Sequence, residues 1–347
     1  MAHNLKEPDM DMKKLGYLTL AGAGVVLLAQ KMARQQRFIG LQDRVVLITG
    51  GSRGLGLALA REFAEHHARV AIVARDSGEL AAAKSELAKH DLDVMTLVCD
   101  TTDQAQVKSV VAEVEEKLGY IDVLINNAGS IIVGPMENMS LDDFHRTMDV
   151  NLWGALHLTL AVLPGMQDRK QGRIVNIASV GGKIPVPHLL PYVASKFALV
   201  GLSSGMRLEL LKDSIYVTTV NPGLMRTGSP RNADFKGNHQ AEYAWFAIGD
   251  NLPGIAISAR TAARRIADAV QHGDSEITLG LPAQISTKLH ALAPQTAQEF
   301  SGLLARLFPR ATESGQETKR GRDSEHRVTR AALDLLGRGA ESEYNQR

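Results

Sequence analysis

The chain contains very little cysteine and almost no excess charge. A single cysteine among 347 residues, Cys99, excludes an intrachain disulfide framework and a cysteine-rich zinc site, and it suits a reducing compartment. Lys and Arg number 39 against 38 Asp and Glu, so no global field favours nucleic acid and we expect no such partner. The 11 histidines show no HExxH or Cys/His ligand spacing, so we expect no metal site.

Long hydrophobic runs are also scarce, and the clearest one lies near the N-terminus. Residues 15–30 carry no charge and are flanked by Lys and Arg on both sides. As a helix this run would cover roughly 24 Å, against about 30 Å for a bilayer core. Flanking cations that snorkel and local thinning of the bilayer make spanning feasible, so we expect a membrane anchor carrying a cytoplasmic catalytic domain. A helix packed on the domain or on a second copy of it is the alternative. A cleaved signal peptide is a weaker alternative, because no small-residue cleavage site follows the apolar run.

The composition is otherwise that of a folded globular protein, with 44% hydrophobic and 22% charged residues. The sequence divides into an N-terminal extension (1–40), a main domain (41–283), an amphipathic segment (284–310) and a charged tail (311–347). The tail mixes charges of both signs with Gly and Ser, and we expect it to be largely disordered apart from a short helix near 331–336. The amphipathic segment is expected to close one edge of the domain, with a membrane-touching lid as the alternative.

The main domain alternates short β-branched runs with helical patterns. Such buried strands, separated by helices, predict a parallel sheet covered on both faces. Right-handed crossovers then lead to a doubly wound α/β (Rossmann) fold. One long helix is expected from about Ser140 to Leu163. Strands are predicted at 44–49, 70–74, 93–99, 121–125, 173–178 and 215–220.

A glycine-rich turn follows the first predicted strand. Glycines at 50, 54 and 56 let the backbone turn tightly and approach a pyrophosphate, whose charge would face the N-terminus of the next helix. The strand, turn and helix supply the context that such a motif needs. The residues of this turn that we expect to contact a dinucleotide are Gly50, Ser52, Arg53, Gly54, Leu55 and Gly56.

The spacing TGxxxGxG resembles that of the short-chain dehydrogenase/reductase family, and later segments extend the resemblance over about residues 41–280. The matching residues are Asp100 after the third strand, Asn127, Ala128 and Gly129 in an NNAG segment, Asn151, Ser179, Tyr192 and Lys196 in a YxxxK motif, and Pro222, Gly223 and Thr227 in a PGxxxT segment. The resemblance implies catalytic roles for Asn151, Ser179, Tyr192 and Lys196. It implies cofactor contacts for the remaining residues and for Tyr192 and Lys196.

Tyr192 and Lys196 are four residues apart on a predicted helix, so their side chains share one face. The ordinary tyrosine pKa of about 10 is too high for efficient proton transfer near neutrality. An ammonium about 4 Å away stabilises tyrosinate by up to roughly 4 kcal/mol, which is around three pKa units. One lysine is therefore expected to bring this tyrosine into its working range.

These residues predict hydride transfer between a nicotinamide ring and a carbonyl or carbinol carbon. Tyr192 exchanges the proton, Ser179 polarises the oxygen, and the resemblance assigns the nicotinamide ribose to Lys196 and a water relay to Asn151. An epimerase or dehydratase of the same fold and a non-catalytic cofactor sensor are the alternatives.

The cofactor and the substrate follow from two further segments. After the second strand, where family members that prefer NAD carry an acid, this chain has Ala74 and Arg75, and Arg53 lies in the glycine turn, so we expect NADP. Asp76 follows directly and weighs against this interpretation. The apolar residues of 224–253 predict a hydrophobic alcohol, ketone or aldehyde as substrate, and we expect a homodimer or homotetramer.

Overall fold

A parallel sheet of seven strands forms the centre of the molecule. The computed structural model describes residues 24–25, 28–252, 254–312, 315–336 and 344–346. The strands are β1 Val45–Thr49, β2 Arg69–Ala74, β3 Val94–Val98, β4 Ile121–Asn126, β5 Ile132–Val133, β6 Gly172–Ile177, β7 Ile215–Pro222, β8 Met225–Arg226, β9 Asp234–Phe235, β10 Ile257–Ser258, β11 Glu276–Leu279 and β12 Lys319–Arg320. The main sheet has the order β11-β7-β6-β4-β1-β2-β3, and all its neighbouring strands are parallel.

Helices cover both faces of this sheet. They are α1 Gly54–Glu65, α2 Ser77–Ala88, α3 Gln104–Leu118, α4 Leu141–Met148, α5 Gly154–Asp168, α6 Leu190–Leu210, α7 His239–Asn251, α8 Ala259–His272, α9 Leu281–Leu292, α10 Pro294–Ala305, α11 Gly321–Ser324 and α12 Arg327–Leu336. Buried side chains of α1, α2 and α8 form one apolar core, and those of α3 and α5 form the core on the opposite face. The expected doubly wound α/β fold is thus present.

The order of the strands places a crevice beside β1. The chain moves outward from β1 to β2 and β3, and then returns to add β4 on the other side of β1. In open parallel sheets a ligand binds at the carboxyl ends of the strands where the order reverses in this way. The glycine turn at 50–56 lies at this point, directly after β1.

The central sheet and one helix differ from the predictions. All six predicted strands are present, but β11 was missed because its four residues are only partly apolar. The helix expected over 140–163 is interrupted by a π-helical turn, Asp149–Trp153, between α4 and α5. A π turn inserts one residue into the helical repeat, a change too small to alter the apolar periodicity on which the prediction depended.

The C-terminal tail also differs from expectation, and the N-terminal prediction is largely untested. Within the tail that was expected to be largely disordered, β12 pairs with β9 and Leu333 of α12 is buried in an apolar cluster with α7. At the other end, most of the apolar run 15–30 lies outside the described residues. Within the described ranges, no helix is both long enough and apolar enough to cross a bilayer.

Candidate active site

The glycine turn is held in a conformation that only glycine adopts readily. Gly50 and Gly54 have φ angles of +63° and +56°, in the left-handed region. A Cβ on Gly56 would lie 2.1 Å from the carbonyl oxygen of Gly50, so no side chain fits there. The turn therefore brings its backbone as close to a ligand as the dinucleotide hypothesis requires.

The NNAG segment ties β4 to this turn. The Thr49 hydroxyl accepts hydrogen bonds from the backbone N–H groups of Asn127 and Ala128, each at 2.9 Å. The Asn127 side-chain amide donates to the carbonyls of Thr49 at 3.0 Å and Gly50 at 3.1 Å. Thr49 was not singled out from the sequence, although it is the first letter of the glycine motif.

Three predicted catalytic side chains meet at the carboxyl end of β6. The Ser179 hydroxyl lies close enough to the Tyr192 hydroxyl to lower the pKa of that phenol. The Lys196 ammonium donates to the carbonyl of Ile177 at 2.8 Å and lies 5.7 Å from the centre of the Tyr192 ring. The Ser179 hydroxyl also accepts from the Gly181 backbone at 3.0 Å, which fixes its position. The structure therefore brings together a phenol, an amine and a serine hydroxyl from a strand end and a separate helix.

Asn151 lies in the π-helical turn and connects two parts of the site. Its side-chain oxygen accepts a hydrogen bond from the Ser130 backbone N–H at 2.8 Å. Its side-chain NH₂ donates to the Ser130 backbone carbonyl at 3.0 Å and to the Ser195 hydroxyl at 2.8 Å. Ser195 in turn donates to the Tyr192 carbonyl at 2.7 Å. Because Ser130 follows the NNAG segment and Ser195 lies on α6, Asn151 holds α6 against the NNAG segment. Ser130 and Ser195 were not identified from the sequence.

Burial controls the proton affinities of the two central groups. It raises the pKa of Tyr192 to about 12, although the neighbouring Ser179 hydroxyl acts in the opposite direction. Burial also lowers the pKa of Lys196 to about 7. The structure thus differs from the expectation that one lysine lowers the tyrosine pKa into the neutral range. Removing both groups from water opposes their charged forms, and near neutrality the lysine is only partly an ammonium.

A buried acid on α7 adds to this effect. The negative charge of Asp250 raises the pKa of Tyr192 further, and burial raises the pKa of Asp250 itself to about 7. No sequence motif points to this residue, because its proximity to Tyr192 depends on how α7 packs over the site.

The surroundings of the expected 2′-phosphate site contain an acid that the sequence did not reveal. The Arg53 guanidinium donates to Glu79 at 2.7 Å and to the Asn232 side chain at 3.0 Å. Arg75 is exposed at the end of β2. Asp76, which weighed against NADP, is the N-cap of α2, where it accepts from the Glu79 backbone at 2.9 Å. Asp76 therefore has a structural role, and Glu79 is the acid that lies next to Arg53.

The remaining predicted cofactor contacts lie around the same edge. Asp100 accepts from the backbone and hydroxyl of Thr102 at 2.9 and 2.8 Å and so stabilises the turn after β3. Gly223 follows β7 and its N–H donates to Leu279 at 2.9 Å. Thr227 is buried and its hydroxyl accepts from the Ser229 backbone. Their cofactor contacts stay predictions, as do those of Ser52, Leu55, Gly129 and Pro222.

Residues 344–346 lie on the glycine turn. The Gly54 N–H donates to the carbonyl of Tyr344 at 2.8 Å, and the side chains of Tyr344 and Gln346 are almost fully buried. The Gly54 N–H is therefore directed at an acceptor outside its own helix, as a pyrophosphate-binding group must be. This acceptor position is held by the protein itself.

Comparison with known proteins gives the class. A family model described as short chain dehydrogenase matches residues 44–236. The match covers more than half of the chain, which therefore belongs to the short chain dehydrogenase family. The expected family is confirmed, and with it the assignment as an oxidoreductase of carbonyl and alcohol groups.

Individual relatives are similar over parts of the chain. Dehydrogenase/reductase SDR family protein 7-like of Anopheles gambiae is 39% identical over 223 residues, which cover 62% of this chain and 70% of that protein. The 3-dehydrosphinganine reductase of Danio rerio is 38% identical over 182 residues, 51% of this chain and 55% of that protein. The crystal structure of an actinorhodin polyketide ketoreductase variant with NADPH superposes with a TM-score of 0.62 at 30% identity, covering 68% of this chain and 95% of that one.

Proposed function

We propose that the protein is an NADP(H)-dependent reductase that interconverts a hydrophobic ketone or aldehyde and its alcohol, with Tyr192 as the general acid and base. The observation that carries this proposal is the convergence of Ser179, Tyr192 and Lys196 at the carboxyl end of β6. These side chains lie at the carboxyl ends of the strands, on the same edge of the sheet as the glycine turn. Residues 41–283 form the catalytic unit in this proposal.

The residues present fit a nicotinamide dinucleotide. The left-handed glycines and the outward Gly54 N–H form the pyrophosphate cradle, and Asn127 and Ala128 border it. Lys196 is the candidate for the nicotinamide ribose. When bound, the cofactor supplies or accepts the hydride.

The catalytic residues handle the proton. With its pKa near 12, Tyr192 carries its proton at neutral pH and is ready to donate it to a carbonyl oxygen as the carbon is reduced. Ser179 donates a hydrogen bond to the same oxygen and stabilises the developing negative charge. Lys196 stabilises the tyrosinate that remains. Asn151 positions α6 through Ser195, and the water relay that the resemblance implies for it stays a prediction.

The substrate side is apolar. Tyr192 packs at the edge of a cluster formed by side chains of β5, β9, α6 and α7, which include Val133, Val193, Phe235 and Phe246. Such a wall favours a substrate with a hydrocarbon body. One relative is a 3-dehydrosphinganine reductase, whose name specifies a lipid ketone, and this supports the same substrate class.

Arg75 tests the cofactor preference. Since Arg53 is paired with Glu79, we assign the 2′-phosphate chiefly to Arg75, and the solved relative that contains NADPH supports this choice. Arg75→Ser is expected to lower the ratio of kcat/KM for NADPH over NADH about tenfold, the effect of losing one charge-assisted contact. An unchanged ratio, or a wild-type preference for NADH, contradicts the assignment.

Tyr192→Phe tests the chemical role. Loss of the proton donor is expected to lower kcat about a thousandfold with an apolar ketone, followed as NADPH absorbance, while the Kd for NADPH stays within about twofold. Tyr120→Phe, at an exposed tyrosine, is the matched control. Full activity of Tyr192→Phe removes the proposed role, and product analysis distinguishes reduction from epimerisation or dehydration.

A further inference from the structure

The helical hairpin formed by α9 and α10 (residues 281–305) displays an unusual amount of apolar surface. Leu292 is 84% exposed and Leu307, just beyond α10, is 82% exposed. Ala283 is the single buried residue of α9, and α10 buries none of its residues. The large apolar side chains exposed on this segment are Leu281, Ile285, Leu289, Leu292, Phe300, Leu303, Leu304 and Leu307.

These side chains are arranged as stripes. On α9 the exposed residues are separated by four, four and three positions, a spacing that places them on one helix face. Phe300 and Leu304 of α10, with Leu307 just beyond its end, follow the same spacing. Both helices thus turn a continuous apolar face away from the domain, and an exposed patch of this kind marks a binding surface.

The charges around the stripes point to one partner. Residues 281–310 carry Lys288, Arg306 and Arg310, all exposed, against one acid, Glu299. Lys288 lies within the α9 stripe, where a long stem can bury its methylenes while its ammonium reaches a phosphate. Apolar residues bordered by cations match the boundary between headgroups and acyl chains of an anionic bilayer.

The hairpin also borders the substrate side. α9 begins directly after β11, with Ala283 packed against Gly223. Beyond α10, the centre of the Phe308 ring lies 4.7 Å from the ring centre of Trp245 on α7 and 5.1 Å from that of His188. The hairpin therefore runs from the end of β7 to the helix that covers Tyr192.

We propose that this hairpin docks on an anionic lipid bilayer and holds the substrate side of the cleft against the membrane. This surface is separate from residues 15–30. It goes beyond the proposed reductase activity, because docking requires no turnover.

A local probe on the full chain tests the docking. Leu292→Cys is labelled with an environment-sensitive nitrobenzoxadiazole, and Cys99 stays unlabelled because it is buried and its pKa is raised to about 11. On vesicles of phosphatidylcholine and phosphatidylglycerol, the emission is expected to shift to the blue and to be quenched by brominated acyl chains. Leu208→Cys, at a leucine of α6 that is 76% exposed, carries the same label as a control and is expected to stay aqueous.

Specific outcomes overturn the proposal. They are the absence of a blue shift at position 292, an equal shift at position 208, and a shift without vesicles that grows with protein concentration, which would mean that a second copy covers the hairpin. In the labelled chain, Phe300→Asp is expected to raise the lipid concentration at half-binding about tenfold, because the aromatic ring that docking buries in the bilayer is lost. An unchanged midpoint counts against docking through this face.

A second, independent observation concerns the chain end on the glycine turn, residues 344–346. Besides the bond from Gly54 to Tyr344, the Asn345 amide donates to the carbonyls of Ser52 at 3.0 Å and Glu79 at 3.2 Å. The Asn232 amide donates to the Gln346 side chain. These partners surround the position where the pyrophosphate and the adenosine ribose are assigned, so the segment and the dinucleotide cannot occupy it together.

We infer that residues 344–346 act as an autoinhibitory plug that competes with the dinucleotide. This inference rests on the proposed cofactor cleft. The apparent Kd for the dinucleotide then equals its intrinsic Kd divided by the fraction of molecules with the cleft open.

The plug is tested by NADPH binding, followed by nicotinamide fluorescence. Asn345→Ala in the full chain is expected to lower the Kd about threefold, and a chain ending at residue 336 to lower it about tenfold. Gln298→Ala, which removes an exposed amide of α10, is the control and leaves the Kd unchanged. Melting temperatures verify that each variant is folded. Equal Kd values for all chains overturn the plug but keep the cleft, whereas folded chains that all fail to bind NADPH overturn the cofactor assignment as well.

Discussion

On the cofactor side of the cleft, the contacts that shape the site run largely through the main chain. Thr49 and Asn127 form hydrogen bonds with backbone groups, and the left-handed conformations of Gly50 and Gly54 shape the turn. On the substrate side, the contacts join side chains to one another, and two of the three below join residues that are far apart in sequence. There Glu242 of α7 accepts from Trp245 at 2.7 Å and pairs with His188 at 2.8 Å, while Lys236 pairs with Asp143 at 2.5 Å.

This difference determines how well each side of the cleft tolerates amino-acid substitutions. Backbone bonds and glycine turns depend little on residue identity elsewhere, so the cofactor side can be kept while the rest of the sequence changes. Packed side chains and buried ion pairs depend on several residues at once. If the proposed function holds, we expect substrate specificity to reside on the substrate side, and the two sides should respond differently to single substitutions.

The largest effect is expected from Gly56→Ala on the cofactor side. Its Cβ would meet the Gly50 carbonyl at 2.1 Å and the Asn127 amide at 2.6 Å, both of which are fixed by other bonds. We expect loss of NADPH binding and a fall in the free energy of unfolding of about 3 kcal/mol or more, measured by urea denaturation. Gly201→Ala is the control, because a Cβ added at this position of α6 would meet no other part of the structure within 4 Å. This substitution is expected to stabilise the helix slightly. Normal NADPH affinity in Gly56→Ala would show that the turn does not shape the cofactor site.

A similar loss of stability without loss of the cofactor is expected from Glu242→Ala on the substrate side. The carboxylate is fully buried, and its removal leaves His188 and the Trp245 indole without this acceptor. We expect the free energy of unfolding to fall by about 3 kcal/mol and KM for the ketone to rise, with the Kd for NADPH unchanged. Glu299→Ala, at an exposed acid of α10, serves as the reference. A change in NADPH affinity equal to the change in KM would break the distinction between the two sides.

Asp250→Asn is expected to have a smaller effect that depends on pH. The folded pKa of about 7 lies above the ordinary value of about 3.9, so the stability associated with its protonated form is present at low pH and is lost as pH rises to 7. The variant is expected to gain about 2 kcal/mol over the wild type between pH 5 and pH 8, measured by urea denaturation. The ascending limb of the pH profile for alcohol oxidation, where Tyr192 must lose its proton to act as the base, should also move to lower pH, because one negative charge near Tyr192 is removed. A difference in stability that is the same at both pH values would contradict a buried ionising Asp250.

Much of the cofactor side could be predicted from the sequence. Positive φ angles at Gly50 and Gly54 are properties of single residues, and a four-residue separation places Tyr192 and Lys196 on one helix face wherever the helix packs. The partners of Asn151 could not be predicted, because Ser130 and Ser195 are brought to it by the π turn and by the packing of α6. Glu79 beside Arg53 was missed for the same reason, since it reaches the glycine turn from a different helix.

By itself the sequence determined the alternation of strands and helices, the glycine turn and the helical spacing of the catalytic pair, since these depend on neighbours within one or two turns of chain. Only the tertiary structure decided the proton affinities of Tyr192, Lys196 and Asp250, the seating of residues 344–346 on the glycine turn, and the outward apolar face of α9 and α10. Each of these depends on where segments that are distant in the chain pack. For the three titratable groups, that packing decides how much water is removed, and it leaves no local pattern in the sequence.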